Sequence, residues 1–286
     1  MHTNCRIGFS KSFQTFCESH SMNPYSAPPE NNFPNMATLV SDASQGPQFS
    51  PDANSVDAGR ATSWYGYGFD QFKVNAGVWV GMVVVLLVIM IVCNVVPVIG
   101  SLASNLLMPV FCGGFMLACQ AHFEGKPVTF DFLFAGFKDK FGPLVLLGLF
   151  WMIGVFVVSI VAGFAAVLMF GGAIATGAVF GSAGMMGLGV TALIGFILVA
   201  FLIAMPLAMA IWFAPALVVF HNIAPVEALI LSLKCSLKNW TAFLLFFILY
   251  IAFAIIATIP ILLGWLVLGP VLFGAMYAAY RDTFLK

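Results

Sequence analysis

Charge is what this chain has least of: 11 basic and 11 acidic residues in 286, or 8%, against roughly 25% in a soluble domain. From Phe141 to Val226 there is no Asp, Glu, Lys or Arg at all. A soluble fold cannot stay in solution with so long an uncharged segment, so that class is excluded. The chain also lacks a basic excess, its formal net charge being zero, which argues against nucleic acid as a partner. Cysteines are few and scattered, at Cys5, Cys17, Cys93, Cys112, Cys119 and Cys235. Their spacing excludes a CxxC site and a secreted disulfide framework and leaves them as small apolar residues. No apolar run follows Arg6 and Lys11, so the N-terminus does not read as a secretory signal peptide.

What is present is apolar: 62% of residues are hydrophobic, with 30 Phe. Runs close to the ~20 residues that cross a hydrocarbon core predict six spans. They are Gly77 to Val96, Leu102 to Cys119, Pro143 to Leu168, Val190 to Val219, Thr241 to Ile259 and Trp265 to Tyr280. The fourth is long enough to tilt or break at Pro206 or Pro215. Between the third and fourth lies Phe170 to Gly189, glycine-rich and expected as a loose turn or re-entrant piece; its Gly177 and Gly181 have GxxxG spacing. The fold class is therefore all-α, a polytopic membrane bundle occupying residues 61 to 286. Met1 to about Arg60, rich in Ser, Asn, Pro and Gln, has no periodic apolar face and is expected to be a disordered cytoplasmic tail. Met22 opens MNPYSAPPE as an alternative start.

Short amphipathic segments precede three of the spans. In Pro225 to Trp240, helical spacing puts Leu229, Leu233, Leu237 and Trp240 on one face, opposite Glu227, Lys234 and Lys238. In Thr129 to Phe141 the stripe is Phe130, Phe134, Phe137 and Phe141, and in Trp64 to Lys73 it is Trp64, Gly68 and Phe72. Each is expected to lie in the headgroup zone.

The three segments suggest an internal repeat. Phe72–Lys73, Phe137–Lys138 and Leu233–Lys234 each precede a span, and the return spans carry Met108–Pro109–Val110, Met205–Pro206–Leu207 and Gly269–Pro270–Val271. Trp79 and Trp240 also match in position. Three quasi-repeats of interfacial helix, span, turn and proline-containing span account for everything after Arg60. Against this stands the frequency of Pro, Gly and Lys near span ends in any membrane protein.

Every Lys and Arg falls before span one, between spans two and three, between four and five, or after six, and the other connections carry no charge. The positive-inside rule then places both termini in the cytoplasm.

The blocks GGFMLACQAHFEGKPV (Gly113 to Val128), WFAPALVVFHNIAPVEALILSLKCSLKNW (Trp212 to Trp240) and YAAYRDTF (Tyr277 to Phe284), with the NPYSAPP start, resemble an uncharacterised family of bacterial six-span inner-membrane proteins. That pattern is distantly similar to the membrane domain attached to some glycerophosphoryl diester phosphodiesterases. The resemblance implies six helices and an inner-membrane location. It implies no catalytic residue, because the phosphodiesterase chemistry belongs to a separate soluble domain.

The spans contain no ionisable group of the kind that proton-coupled transport or intramembrane catalysis needs. Asn94, Asn105, Ser159, Thr191 and Thr258 are their polar residues, expected to hydrogen-bond neighbouring helices. His122, Glu124 and His221 lack a fourth ligand for a metal, and Ser159 lacks a His or acid partner. No catalytic, cofactor or metal site is expected. Lys73, Lys126, Lys138, Lys140, Lys234, Lys238 and Arg281 remain, placed to meet lipid headgroups, though they also serve simply to set topology. The expected function is a non-enzymatic integral inner-membrane protein acting on envelope or lipid organisation, with membrane lipids and membrane proteins as partners. The alternative is a transporter or a lipid or small-molecule exporting channel.

Overall fold

In hydrocarbon each backbone N–H and C=O must be paired within its own segment, so uncharged runs of Val, Leu, Ile and Phe form helices. A computed structural model describes residues 48–286, apart from 97, 139, 261 and 262 and the side chains of 169 and 172–189. Residues Phe49–Lys286 make one unit. Its helices are α1 (Arg60–Val74), α2 (Ala76–Asn94), α3 (Ile99–Phe123), a 3₁₀ helix (Phe130–Phe137), α4 (Phe141–Trp212), α5 (Ala214–His221), α6 (Pro225–Lys238), α7 (Trp240–Thr258) and α8 (Trp265–Phe284).

Five segments are long and apolar enough to cross a membrane: Ala76–Asn94, Ile99–Phe123, Phe141–Leu168, Val190–His221 and Trp240–Thr258. The sixth expected span, α8, is also 20 residues long, but Arg281 and Asp282 lie in its last turn. Half of its residues are buried, among them Gly274, Ala275, Ala279 and Thr283. A helix shielded by its neighbours has no need of a lipid-compatible surface, which explains its lower hydrophobicity.

α4 is helical on either side of the glycine-rich stretch after Phe170, and the chain doubles back across that stretch, as expected of a turn. A Cβ at Gly154 would fall 2.5 Å from Leu207 Cδ1, and the Phe170 and Phe196 rings lie 6.2 Å apart. A straight helix would separate Gly154 from Leu207 by about 80 Å. Its two arms are therefore antiparallel, and the expected GxxxG contact at Gly177 and Gly181 lies outside the described side chains. The second arm continues through Pro206 and breaks at Phe213, just ahead of Pro215.

The break is closed by a side chain. In an unbroken helix Phe213 N–H would donate to the Met209 carbonyl; instead it donates to Ser232 Oγ at 3.0 Å, and Ser232 donates to Met209 O at 2.7 Å. The hydroxyl is inserted into the helix ladder. Comparable contacts join the other lead-in helices to return helices. At the α1–α8 crossing a Cβ on Gly68 would fall 2.2 Å from Val271 O, and one on Gly274 would fall 2.7 Å from Gly68 Cα. On the 3₁₀ helix a Cβ at Gly136 would fall 2.2 Å from Val110 O of α3.

These contacts are made by the small residues of the lead-in segments rather than by their apolar stripes. In α6 the buried residues are Ala228, Ser232, Cys235 and Ser236; of the expected stripe Leu229 and Leu233 are half-buried, Leu237 is 55% exposed and Trp240, at the start of α7, is 57% exposed. In the 3₁₀ helix Leu133 and Gly136 are buried, Phe137 is half-buried, and Phe130 and Phe134 are exposed, as is Phe141 at the start of α4. Small residues face the protein because they permit close backbone approach, and the large apolar ones are left for the surroundings. In α1 the expectation is closer, with Trp64 and Gly68 buried. Trp79 is fully buried whereas Trp240 is exposed, so their matched positions do not share an environment.

The tail expectation is corrected for its last residues. Phe49 pairs with Leu285 as an antiparallel bridge, Ser50 N–H donates to Phe284 O at 2.8 Å, and Asn54 N–H donates to Thr283 O at 2.6 Å. Residues 49–56 form an ordered strap across the end of α8. The expected disorder of residues 1–47 lies outside the described residues.

Candidate functional site

The strap brings both ends of the described chain to one end of the bundle, where a polar lattice forms. Asp282 Oδ2 accepts from Arg60 Nε at 2.9 Å, Arg60 Nη2 at 2.6 Å and Trp64 Nε1 at 2.7 Å. Asn239, 2% exposed, accepts from Val56 N–H at 2.8 Å and donates to Asn54 O at 3.0 Å. Phe49 stacks on His221 with ring centroids 3.9 Å apart, and the His221 ring meets Tyr280 OH at 2.5 Å.

Sequence-predicted cations are distributed within this end rather than gathered in one pocket. Lys73 pairs with Asp70 at 2.7 Å, and Lys126 with Glu124 at 2.5 Å. That ammonium, with Gln120, holds the Glu124 carboxyl below its ordinary range. Lys140 donates to Asn222 Oδ1. Lys238 donates to Ala53 O at 2.6 Å and so ties α6 to the strap. The Arg281 guanidinium lies 3.4 Å over the Phe123 ring, a cation–π contact. Among the described residues Lys138, Lys234 and Arg281 of the seven make no ion pair or side-chain hydrogen bond, and of these three Arg281 has its ring contact while Lys138 and Lys234 have none.

Of the polar span residues, Asn94 reaches across to Ser104 at 3.0 Å, and Thr258 accepts from Trp265 Nε1 at 3.2 Å. Asn105 and Ser159 instead donate to carbonyls of their own helix, Ser101 and Val155. Ser159 is exposed on the first arm of α4. Among the described residues no group of three His, Cys, Asp or Glu is placed to hold a metal.

The feature that sequence reasoning missed is a cavity of about 480 Å³ between α3, α4, α5, α7 and α8, within the ~300–1,000 Å³ typical of small-ligand sites. Pro109, Pro215 and Gly269, the last beside Pro270, reach it from three return helices. Trp151, Trp212 and Trp265 also line it, half of the chain's six tryptophans. No Asp, Glu, Lys, Arg or His contributes to the wall. Tyr250 belongs both to this cavity and to a more open depression running along α7 to Thr258 and Ile259. Of the repeat's three prolines Pro109 alone lines the wall, and only the fold brings it together with the three tryptophans and Pro215.

No family model and no solved structure matches the chain. It is 32% identical over 251 residues, covering 80% of this chain and 92% of the relative, to the probable inner membrane protein BTH_II0599 of Burkholderia thailandensis. The charge-free helices, the apolar exterior and that similarity lead to one conclusion: the chain is a multi-pass integral membrane protein and belongs to the family of this probable inner membrane protein.

Proposed function

We propose that this protein is a non-enzymatic, six-span inner-membrane protein that organises lipid at the cytoplasmic face, with both termini in the cytoplasm. One observation carries the reading: the seven cations lie in α1, α6, the end of α8 and the loops around the 3₁₀ helix, and the connections at the opposite end are uncharged. Lys138 and Lys234 are the ones left unpaired within the protein, each beside an exposed apolar residue of its short helix, Phe134 and Ile230. Such a combination suits the boundary between acyl chains and anionic headgroups.

The internal repeat supports a ring of three units. Gln71, Gly136 and Ser232, each directly before a matched Phe–Lys or Leu–Lys pair, are all buried. Each lead-in helix packs on the return helix of another unit, α1 on α8, the 3₁₀ helix on α3 and α6 on α4. The likeness to the membrane domain of glycerophosphoryl diester phosphodiesterases suits a lipid role without supplying a catalytic residue.

Lipids retained in native nanodiscs test this reading. Anionic lipid should be enriched, and each of Lys138→Gln and Lys234→Gln should lower the enrichment by about fivefold, the equivalent of ~1 kcal/mol per cation. Phospholipid turnover by the purified protein would refute the non-enzymatic part. Alkaline phosphatase fused at Gly264 should be active, and an inactive fusion there would reverse the topology.

The exporter alternative draws on the cavity. Its uncharged wall disfavours a polar solute and leaves a lipid as the cargo, to be read as flux in proteoliposomes.

A further inference from the structure

We propose that the cavity between α3, α4, α5, α7 and α8 holds one acyl chain of a membrane glycerolipid, with the ester carbonyl accepting a hydrogen bond from Tyr250. This rests on the protein being integral to the membrane, but not on the cytoplasmic cations. The wall is built from groups such as Met108, Pro109, Ile211, Leu272, Phe273 and Met276 and contains no charge. An ionised group would lose its hydration there with nothing to replace it, so the occupant is uncharged where it enters.

Several polar atoms on the wall are unmatched among the described residues. Tyr250 OH and the indole N–H groups of Trp151 and Trp212 make no hydrogen bond, Trp212 Nε1 being buried, and Asn105, whose amide N–H donates to Ser101 O at 2.9 Å, has no partner for its oxygen. A hydroxyl within the hydrocarbon layer has no bulk water to satisfy it, so an unpaired Tyr250 OH points to an acceptor brought by a ligand.

The second depression gives the rest of the lipid its course. It starts at Tyr250 and follows Ile251, Ala254, Ile255 and Thr258 to Ile259, at the end of α7 away from the chain termini. The lipid therefore comes from the leaflet opposite the cationic end. No Asp, Glu, Lys or Arg occurs from Val74 to Phe123 or from Asn239 to Tyr280, so binding should not discriminate between headgroup charges.

The test uses the full-length protein in nanodiscs of phosphatidylcholine carrying a trace of a phosphatidylcholine with a diazirine in one acyl chain. Mass spectrometry of the photolysed protein should place label on Met108, Leu272 or Met276. Tyr250→Phe should lower that label about threefold to tenfold, the loss of one hydrogen bond. Leu272→Trp, which fills the cavity, should lower it at least as far. Replacing half of the phosphatidylcholine with phosphatidylglycerol should leave it unchanged. Label confined in the wild type to outward residues such as Val88 and Ile197 overturns the proposal, even if Leu272→Trp fails to fold. So does cavity label that is unchanged in a folded, monodisperse Tyr250→Phe protein. Neither outcome touches the anionic-lipid enrichment, whose own loss on Lys138→Gln and Lys234→Gln is read separately.

Discussion

Ser232 donates its hydroxyl to the Met209 carbonyl, 23 residues away, at 2.7 Å, and by accepting from Phe213 N–H completes a helix rung that α4 itself cannot close. The serine is fully buried. Neither water nor lipid can replace it there, and the break in α4 and the docking of α6 become one structural event.

Ser232→Ala should therefore strand the buried Phe213 N–H and leave the Met209 carbonyl only the longer 3.5 Å contact from Ser236 Oγ. The expected cost is about 1–3 kcal/mol for the unsatisfied donor, seen as a lowered unfolding midpoint in detergent. An unchanged midpoint would mean that the α4 break is stabilised by something else.

Asp282 tests the strap. Asp282→Ala leaves the Trp64 indole N–H, on a residue 1% exposed, without its acceptor and should cost about 1–3 kcal/mol. Arg60→Ala removes a half-exposed ion pair and should cost only about 0.2–1 kcal/mol. Limited proteolysis across residues 49–60 should rank the two in that order, and the reverse order would reject the strap as described.

The α1–α8 crossing makes an opposite pair of predictions for two glycines in one helix. Gly68→Ala would drive a methyl into the Val271 carbonyl, and since backbone cannot step aside cheaply the loss should be ~3 kcal/mol or more. Gly66→Ala meets nothing within 4 Å and should gain about 0.5–1 kcal/mol from helix propensity. Size-exclusion profiles and unfolding midpoints of the two variants provide the comparison.

Cys235 is a built-in reporter for the docking of α6. Burial pushes its thiol up to about 11, so at neutral pH it should resist maleimide in the wild type. Leu237→Asp, on the exposed face, should leave the Cys235 peptide unlabelled. Ala228→Phe, in the fully buried face, should make it reactive. Labelling in Leu237→Asp alone would restore the leucine face as the docked one.

Much of the architecture was legible in the residues. Spans at Ala76–Asn94 and Trp240–Thr258 fall within one or two positions of the expected limits, because hydrophobic length is a local property. The cationic end was equally readable from the placement of Lys and Arg. The 49–56 strap was not, since its hydrogen bonds go to Asn239, Thr283 and Phe284, more than 180 residues further along the chain. Nor was the cavity, whose wall draws Asn105, Trp151, Trp212, Tyr250 and Trp265 from separate helices.

Sequence alone determined that this chain lies in a membrane as helices with its cations at one end, since charge and backbone pairing are settled segment by segment. Only the tertiary structure decided which face of each helix turns inward. In water, polarity separates inside from outside, but lipid is as apolar as leucine and provides no such gradient. Close packing decided instead, and it turned Ala228, Ser232, Cys235 and Gly136 toward the protein and left Leu237, Phe130 and Phe134 exposed.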